Sequence, residues 1–470
     1  MHLNLVTLCI FNVLTVNGFE VLSINDGYRG IIEEMESRSV ELREDIMERW
    51  IELKLDHFNE SDTRTWKMRY YQGLYFWKPD GPVYLFINGE AAVRPSFLTT
   101  GVVYELAKET EGAMYLSEHR YYGKSQPLNR THFNVEDMKF LSVSQVLADN
   151  NSKVVVVGGS YAGNLAAWMR LVHPDVVDAA ISSSGPVLAK RDFYEYFEVV
   201  GYDYEKFGSP DCIEKIKVKF QRYQLLFQTE DGIKQLKKEM NICERTDMNR
   251  LENRQVFFMS QTITFMEKAQ YGTTEAIKKH CLKLEDPQDM LLSDKKYYWR
   301  NDEDCYDYDF DKMIEEYLNN DDMLCWTYQT CTEFGYFQTG SSDNQPFTHN
   351  VPVEWYYKFC MDLFGVGFDK NRVNEGVKKI NRLYGGKSPN VTKVVFVNGE
   401  MDPWSSLGIT EGGSFDAPVV YIPKSSHCRD LFSNVPGDAK ELKQARSRIK
   451  DQIKKWIGAD DKFENEDYEN

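Results

Sequence analysis

The stretch Val154-Val155-Val156-Val157-Gly158-Gly159-Ser160-Tyr161-Ala162-Gly163 decides the fold. Four β-branched residues in a row, bounded by Lys153 and Gly158, read as a central parallel strand buried on both faces. Residues 161–173 read as a helix, which Pro174 stops. Ser160 lies in the turn between them. A serine exposed on a sharp strand-to-helix turn needs small neighbours, because the backbone closes on itself there. Gly158 and Ala162, two residues to either side, meet that need. The helix N-terminus adds positive potential for an oxyanion, with the Tyr161 N–H as one donor. The stretch is not a phosphate loop, because no Lys-Ser or Lys-Thr follows its glycines. The bland alternative is a Gly-rich turn with a bystander serine. A match placed between a valine strand and a helix favours a nucleophile and an α/β-hydrolase core.

The flanking chain supports this class. Residues 66–74, 83–87 and 113–117 read as strands, and 96–108 as a helix. A charged stretch at 31–50 is expected to be helical. From 190 to 352 helical patterns, aromatics and cysteines crowd together, and no strong β run interrupts them. This segment is expected to be a helical cap inserted into the core. The α/β pattern returns with strands at 393–397 and 419–422 and a last amphipathic helix at 440–457. The division expected is a leader at 1–18, core at 19–189, cap at 190–352, core at 353–458 and an acidic tail at 459–470.

With 42% hydrophobic and 27% charged residues the composition is globular, and the formal net charge is −17. No basic block suggests a nucleic-acid partner. Residues 3–16 are apolar enough for a secretory h-region, so a secreted or lysosomal chain is expected, with no membrane span. Cys9 would leave with that leader. Eight cysteines remain, at 212, 243, 281, 305, 325, 331, 360 and 428. An even number in an oxidising compartment suggests disulfides, with connectivity open. No CxxC pair or tight Cys/His cluster suggests a metal, and no cofactor is expected. Glycosylation sequons begin at Asn59, Asn129, Asn150 and Asn390.

A nucleophilic serine needs a base, and the base an orienting acid. In this fold class the order is Ser, then Asp or Glu, then His. Of the histidines after Ser160, His173 ends the nucleophile helix, and His280 and His349 lie in the cap segment. His427 alone follows a late strand and precedes the last helix. Asn398-Gly399-Glu400-Met401-Asp402-Pro403-Trp404 offers two acids, Glu400 and Asp402, of which Asp402 is preferred. The competing readings are an Asp-Pro turn initiator for Asp402 and a surface-loop histidine for His427.

These motifs, with Leu55-Asp56-His57-Phe58-Asn59, Glu118-His119-Arg120-Tyr121-Tyr122-Gly123, Ser426-His427-Cys428 and residues 326–335, resemble the prolylcarboxypeptidase family of serine peptidases. The resemblance covers roughly residues 50–456. It implies an α/β-hydrolase core under a disulfide-bearing helical cap, exopeptidase action on short peptides, often beside proline, and a triad of Ser160, Asp402 and His427. It leaves a homodimer open. The Asn88-Gly89-Glu90 turn falls where the family has a Gly-Gly-Glu turn, so Glu90 is expected to face a substrate terminus. Trp404 falls where the family lines its proline pocket. Their competing roles are a strand-end carboxylate and core packing.

Two departures stand out. Asn164 replaces a Met of the proline pocket, and residues 162–168 are more similar to the thymus-specific branch. The crossover before the nucleophile strand is also short. Residues 141–149 offer about two helical turns where about a dozen or more residues are usual. One sheet face is therefore expected to be less covered. An esterase using the same triad, or a binding protein that has lost catalysis, are the alternatives.

Overall fold

A computed structural model describes residues 45–128, 135–149, 154–284, 305–412 and 416–459. The expected leader, Asn129, Asn150 and nearly all of the acidic tail lie outside the described residues.

Among the described residues ten strands form two sheets: β1 Ile46–Lys54, β2 Thr65–Gly73, β3 Val83–Ile87, β4 Ala113–Ser117, β5 Val154–Gly159, β6 Val177–Ser183, β7 Lys190–Asp192, β8 Gly335–Phe337, β9 Val394–Gly399 and β10 Val419–Ile422. The large sheet has eight strands in the order β1-β2-β4-β3-β5-β6-β9-β10. The β1–β2 and β2–β4 pairs are antiparallel and all later pairs are parallel. The architecture is that of an α/β hydrolase. Val154–Val157 are all buried, as a strand with helices on both faces requires.

The helices named here are α1 Val102–Thr110, α2 Val143–Asp149, α3 Tyr161–Val172, α4 Glu195–Phe207, α5 Cys212–Leu226, α6 Glu230–Glu239, α7 Leu251–Tyr271, α8 Thr274–Lys283, α9 Phe310–Leu318, α10 Asp321–Gln329, α11 Val353–Phe364, α12 Lys370–Tyr384 and α13 Lys440–Trp456. No helix of the described residues is long and apolar enough to cross a membrane.

The helix expected over 31–50 is not formed at its end, because Ile46–Trp50 belong to β1. That strand pairs in continuous register with β2 and carries its charges on an open sheet edge, where charge discourages further pairing. The helix expected over 96–108 is interrupted: a short 3-10 turn, Pro95–Leu98, precedes α1, and Gly101 stands between them at φ 88°. A Cβ there would meet the Leu431 carbonyl at 2.5 Å. Helix α2, seven residues long, is short as expected. Yet Val143, Val146 and Leu147 are buried in one cluster with Val154 and Val156, so it covers what it faces.

Three disulfides tie the helical region: Cys212–Cys281, Cys243–Cys305 and Cys331–Cys360. Cys325 and Cys428 are buried thiols.

Candidate functional site

Ser160 sits at φ 58°, ψ −132°, between β5 and α3. A non-glycine residue there is strained by about 1–3 kcal/mol and persists only where its surroundings hold it. The hold is visible. The Ser160 N–H donates to the Ser183 carbonyl at 2.9 Å, and its own carbonyl accepts from Gly163 N at 2.8 Å. A Cβ on Gly158 would lie 2.0 Å from the Ala162 carbonyl oxygen, and one on Gly163 would lie 2.7 Å from that of Ser183. The turn closes only because these residues lack side chains.

Asp402 follows β9 and caps the 3-10 turn Pro403–Leu407, its Oδ1 accepting from Trp404 N at 3.0 Å. Its Oδ2 meets His427 Nδ1 at 2.8 Å, and both side chains are buried. The loops after β9 and β10 are pressed together at Gly399, where a Cβ would lie 2.2 Å from the Ser425 carbonyl. His427 is held from the helical region too, its N–H donating to the Gln270 carbonyl of α7 at 2.8 Å. Its Nε2 is buried and has no hydrogen-bond partner. Burial is the largest influence and opposes the imidazolium, but Asp402 and Cys428 together outweigh it and hold His427 well above its usual range. The histidine loop also abuts the elbow: a Cβ on Gly159 would stand 3.1 Å from Cys428 Sγ.

The other candidates sort by contact. Glu400 pairs with Lys206 and accepts from Lys424 N at 2.9 Å. Burial works to raise this carboxyl, but Lys206 more than offsets it. His280 bonds Tyr204 at 2.5 Å, and His349 bonds the Gly340 carbonyl at 2.6 Å. Neither contacts the Asp402–His427 pair in these bonds. Asn59 and Asn390 are exposed.

A cavity of about 250 Å³ opens on Ser160, lined also by Glu90, Tyr161, Trp404, Tyr336 and Pro186. The Gly89–Glu90 turn lies against the start of α3, with a Gly89 Cβ 3.6 Å from Ala162. Burial raises the Glu90 carboxyl above its usual range, with His427 pulling the other way. Trp404 packs on Phe193, Tyr196 and Tyr336 at ring separations of 5.3, 5.8 and 5.4 Å. It therefore lines the cavity and packs in the core at once. Asn164 is fully buried behind the wall, its Nδ2 donating to Pro186 O and Tyr336 Oη, both at 3.2 Å. Its side-chain amide reaches cavity-lining residues through those two bonds.

Several supporting residues lie in the sequence motifs or near them, but no role for their side chains was legible there. Tyr161 Oη accepts from Gln329 Nε2 at 2.9 Å and lies 3.1 Å from His119 Nε2. Gln329 in turn accepts from Tyr122 at 2.6 Å. On the other side Ser183 Oγ donates to Asp430 at 2.6 Å, and Cys428 N donates to Ser184 Oγ at 2.9 Å. Gln329 and Gln270 come from the helical region, far away in sequence, so no pattern around Ser160 or His427 pointed to these contacts.

The profile of the serine carboxypeptidase S28 family matches residues 53–449. The putative serine protease K12H4.7 of Caenorhabditis elegans is 31% identical, with 86% of this chain and 87% of that protein aligned. The thymus-specific serine protease of Mus musculus is 29% identical, over 87% of each chain. The lysosomal Pro-X carboxypeptidase of Homo sapiens is 28% identical, over 87% of this chain and 88% of that one. Among solved structures, proline iminopeptidase of Mycobacterium smegmatis aligns with 83% of this chain and 96% of its own at 11% identity and a TM-score of 0.35.

Proposed function

The chain belongs to the serine carboxypeptidase S28 family and is a serine peptidase, and from that premise we propose that Ser160, His427 and Asp402 form its catalytic triad. The observation that carries this is the buried 2.8 Å bond between Asp402 and His427 Nδ1, which leaves Nε2 as the unused nitrogen, on a loop whose Cys428 abuts the strained serine turn at Gly159.

In this reading Asp402 fixes the tautomer, so that Nε2 can take the Ser160 proton as Oγ attacks the scissile carbonyl. The Tyr161 N–H stands at the first helical position, where it is not consumed by the helix ladder. With a donor from the Gly89–Glu90 turn it stabilises the oxyanion. His427 then protonates the leaving amine, and water resolves the acyl-enzyme. Substrates are short peptides cut near one end, because helical segments form much of the cavity wall. Asn164 does not argue against an apolar side-chain pocket, since Tyr336 and Pro186 stand in front of it. The disulfides suit a secreted or lysosomal compartment. Sugars at Asn59 and Asn390 would fit their exposure.

The test is cleavage of a mixed peptide library at acidic and neutral pH, together with fluorophosphonate labelling. Labelling at Ser160, with cleavage abolished by Ser160→Ala, is the expected result. A folded, monodisperse protein that neither labels nor cleaves would overturn the reading.

A further inference from the structure

Glu90 lines the cavity that contains Ser160 and makes no ion pair among the described residues. Its carboxyl is felt by His427, Tyr122 and Tyr161, and Asp322 acts on Tyr122 from the same quarter. Of these only His427 can carry a positive charge, and that charge is already matched by Asp402. Asp322 supplies a second acidic side chain to the lining, while no Lys, Arg or His lines the cavity among the described residues. The remaining wall is thioether and aromatic: Met259, Met266, Met313, Met323, Trp326 and Trp355 lie in it.

A peptide end entering such a space brings a charge out of water, and a buried charge is tolerated only when paired. A terminal carboxylate would meet the Glu90 carboxyl with no described cation in the cavity lining to receive it. A terminal ammonium would instead find in Glu90 the counter-charge that both groups lack. From this we infer that the enzyme works from the amino end of its substrates, with Glu90 as the residue that reads the free ammonium and the thioether-aromatic wall taking the large apolar side chains of the first residues. Flexible methionines let one wall fit several side-chain shapes, proline among them.

The inference rests on the Ser160 nucleophile. In the reaction Ser160 Oγ bonds to the scissile carbonyl carbon and the C–N bond breaks. The His427 proton leaves on the new amine of the longer, carboxy-terminal product. The short amino-terminal fragment stays as the acyl-enzyme until water releases it.

The experiment compares one apolar pentapeptide in three forms: free at both ends, acetylated at the amino end, and amidated at the carboxy end. Acetylation should lower kcat/KM by on the order of 100-fold, mainly through KM, whereas amidation should change it less than about threefold. Glu90→Gln should erase the difference between free and acetylated peptide, and Glu90→Asp should keep part of it. For the free peptide KM should rise as pH falls and Glu90 is protonated, a dependence absent in Glu90→Gln. Cleavage blocked by amidation and indifferent to acetylation would overturn the inference, and the wild-type protein alone suffices to see it. Fluorophosphonate labelling run alongside separates the two failures. A labelled Ser160 with no amino-end preference sinks only the direction, and an unlabelled Ser160 in active enzyme sinks the nucleophile itself.

Discussion

The sheet and the helical region bury charge in opposite ways. In the core most buried charges have partners. Arg69 bridges Glu118, Arg446 bridges Asp438, and Asp402 holds His427. Even Asp430, raised by burial to about 6, accepts from Ser183. In the helical region Asp307 is paired, with Lys312 at 2.8 Å and Arg245 at 3.1 Å, but three other acids there have no such cation. Both Asp203 oxygens lack a hydrogen bond, and burial, with Glu400 and Asp402 nearby, pushes its carboxyl up to about 9. Burial takes Glu316 to about 8 and Glu333 to about 7. Glu333 accepts from Val143 N at 3.2 Å, at the start of the short crossover helix, and so links the helical region to the core. Burial thus favours the protonated form of Asp203, Glu316 and Glu333.

The comparison breaks first at Asp402. Replacement by Asn leaves the fold but offers His427 the wrong tautomer, and kcat should fall about 10⁴-fold. Glu400→Gln should change kcat less than about threefold, since Glu400 serves Lys206 at the rim. Equal losses in the two variants, measured by steady-state kinetics, would erase the distinction between the acids.

Next in size is the covalent tie of the helical region. Replacing Cys331 and Cys360 with Ser frees a 29-residue separation. It should cost about 2–4 kcal/mol, visible in urea unfolding. A transition in which cavity aromatics respond before the sheet would show that the two regions unfold separately.

The proton-holding acids give a smaller effect with a definite sign. The folded chain keeps the Asp203 proton up to about 9, against 3.8 for the free side chain. Its contribution to stability is full below about pH 4 and is lost as pH climbs toward 9. Asp203→Asn mimics the protonated form, so its Tm should exceed the wild-type value at pH 8 and converge with it near pH 4. Glu333→Gln should flatten a smaller part of the same slope, between about 4.5 and 7. A Tm that rises with pH in the wild type over this range would contradict the proposed role of the unpartnered acids.

Much of the site was legible in the sequence because its chemistry is local. The valine strand, the glycines around Ser160 and the Asp-Pro turn at Asp402 each announce a backbone shape within a few residues. The helix expected over 31–50 failed at Ile46–Trp50, because local charge says little about a segment whose partner strand decides its form. Asn164 looked like a pocket residue because the family this chain resembles carries a Met of the proline pocket there. Whether a helix position faces a cavity depends on what stands before it, and here that is Tyr336, 172 residues away.

By itself the sequence determined the α/β order, the strained serine turn and the two acids from which the orienting carboxylate had to come. Those features follow from steric rules acting along a few bonds. The sequence already preferred Asp402 over Glu400, and only the tertiary structure decided that Gln270 holds the histidine from the helical region and that the cavity carries carboxylates and no described cation. These depend on loops and helices distant in sequence converging on one volume. There the cost of burying each charge depends on its neighbours in space.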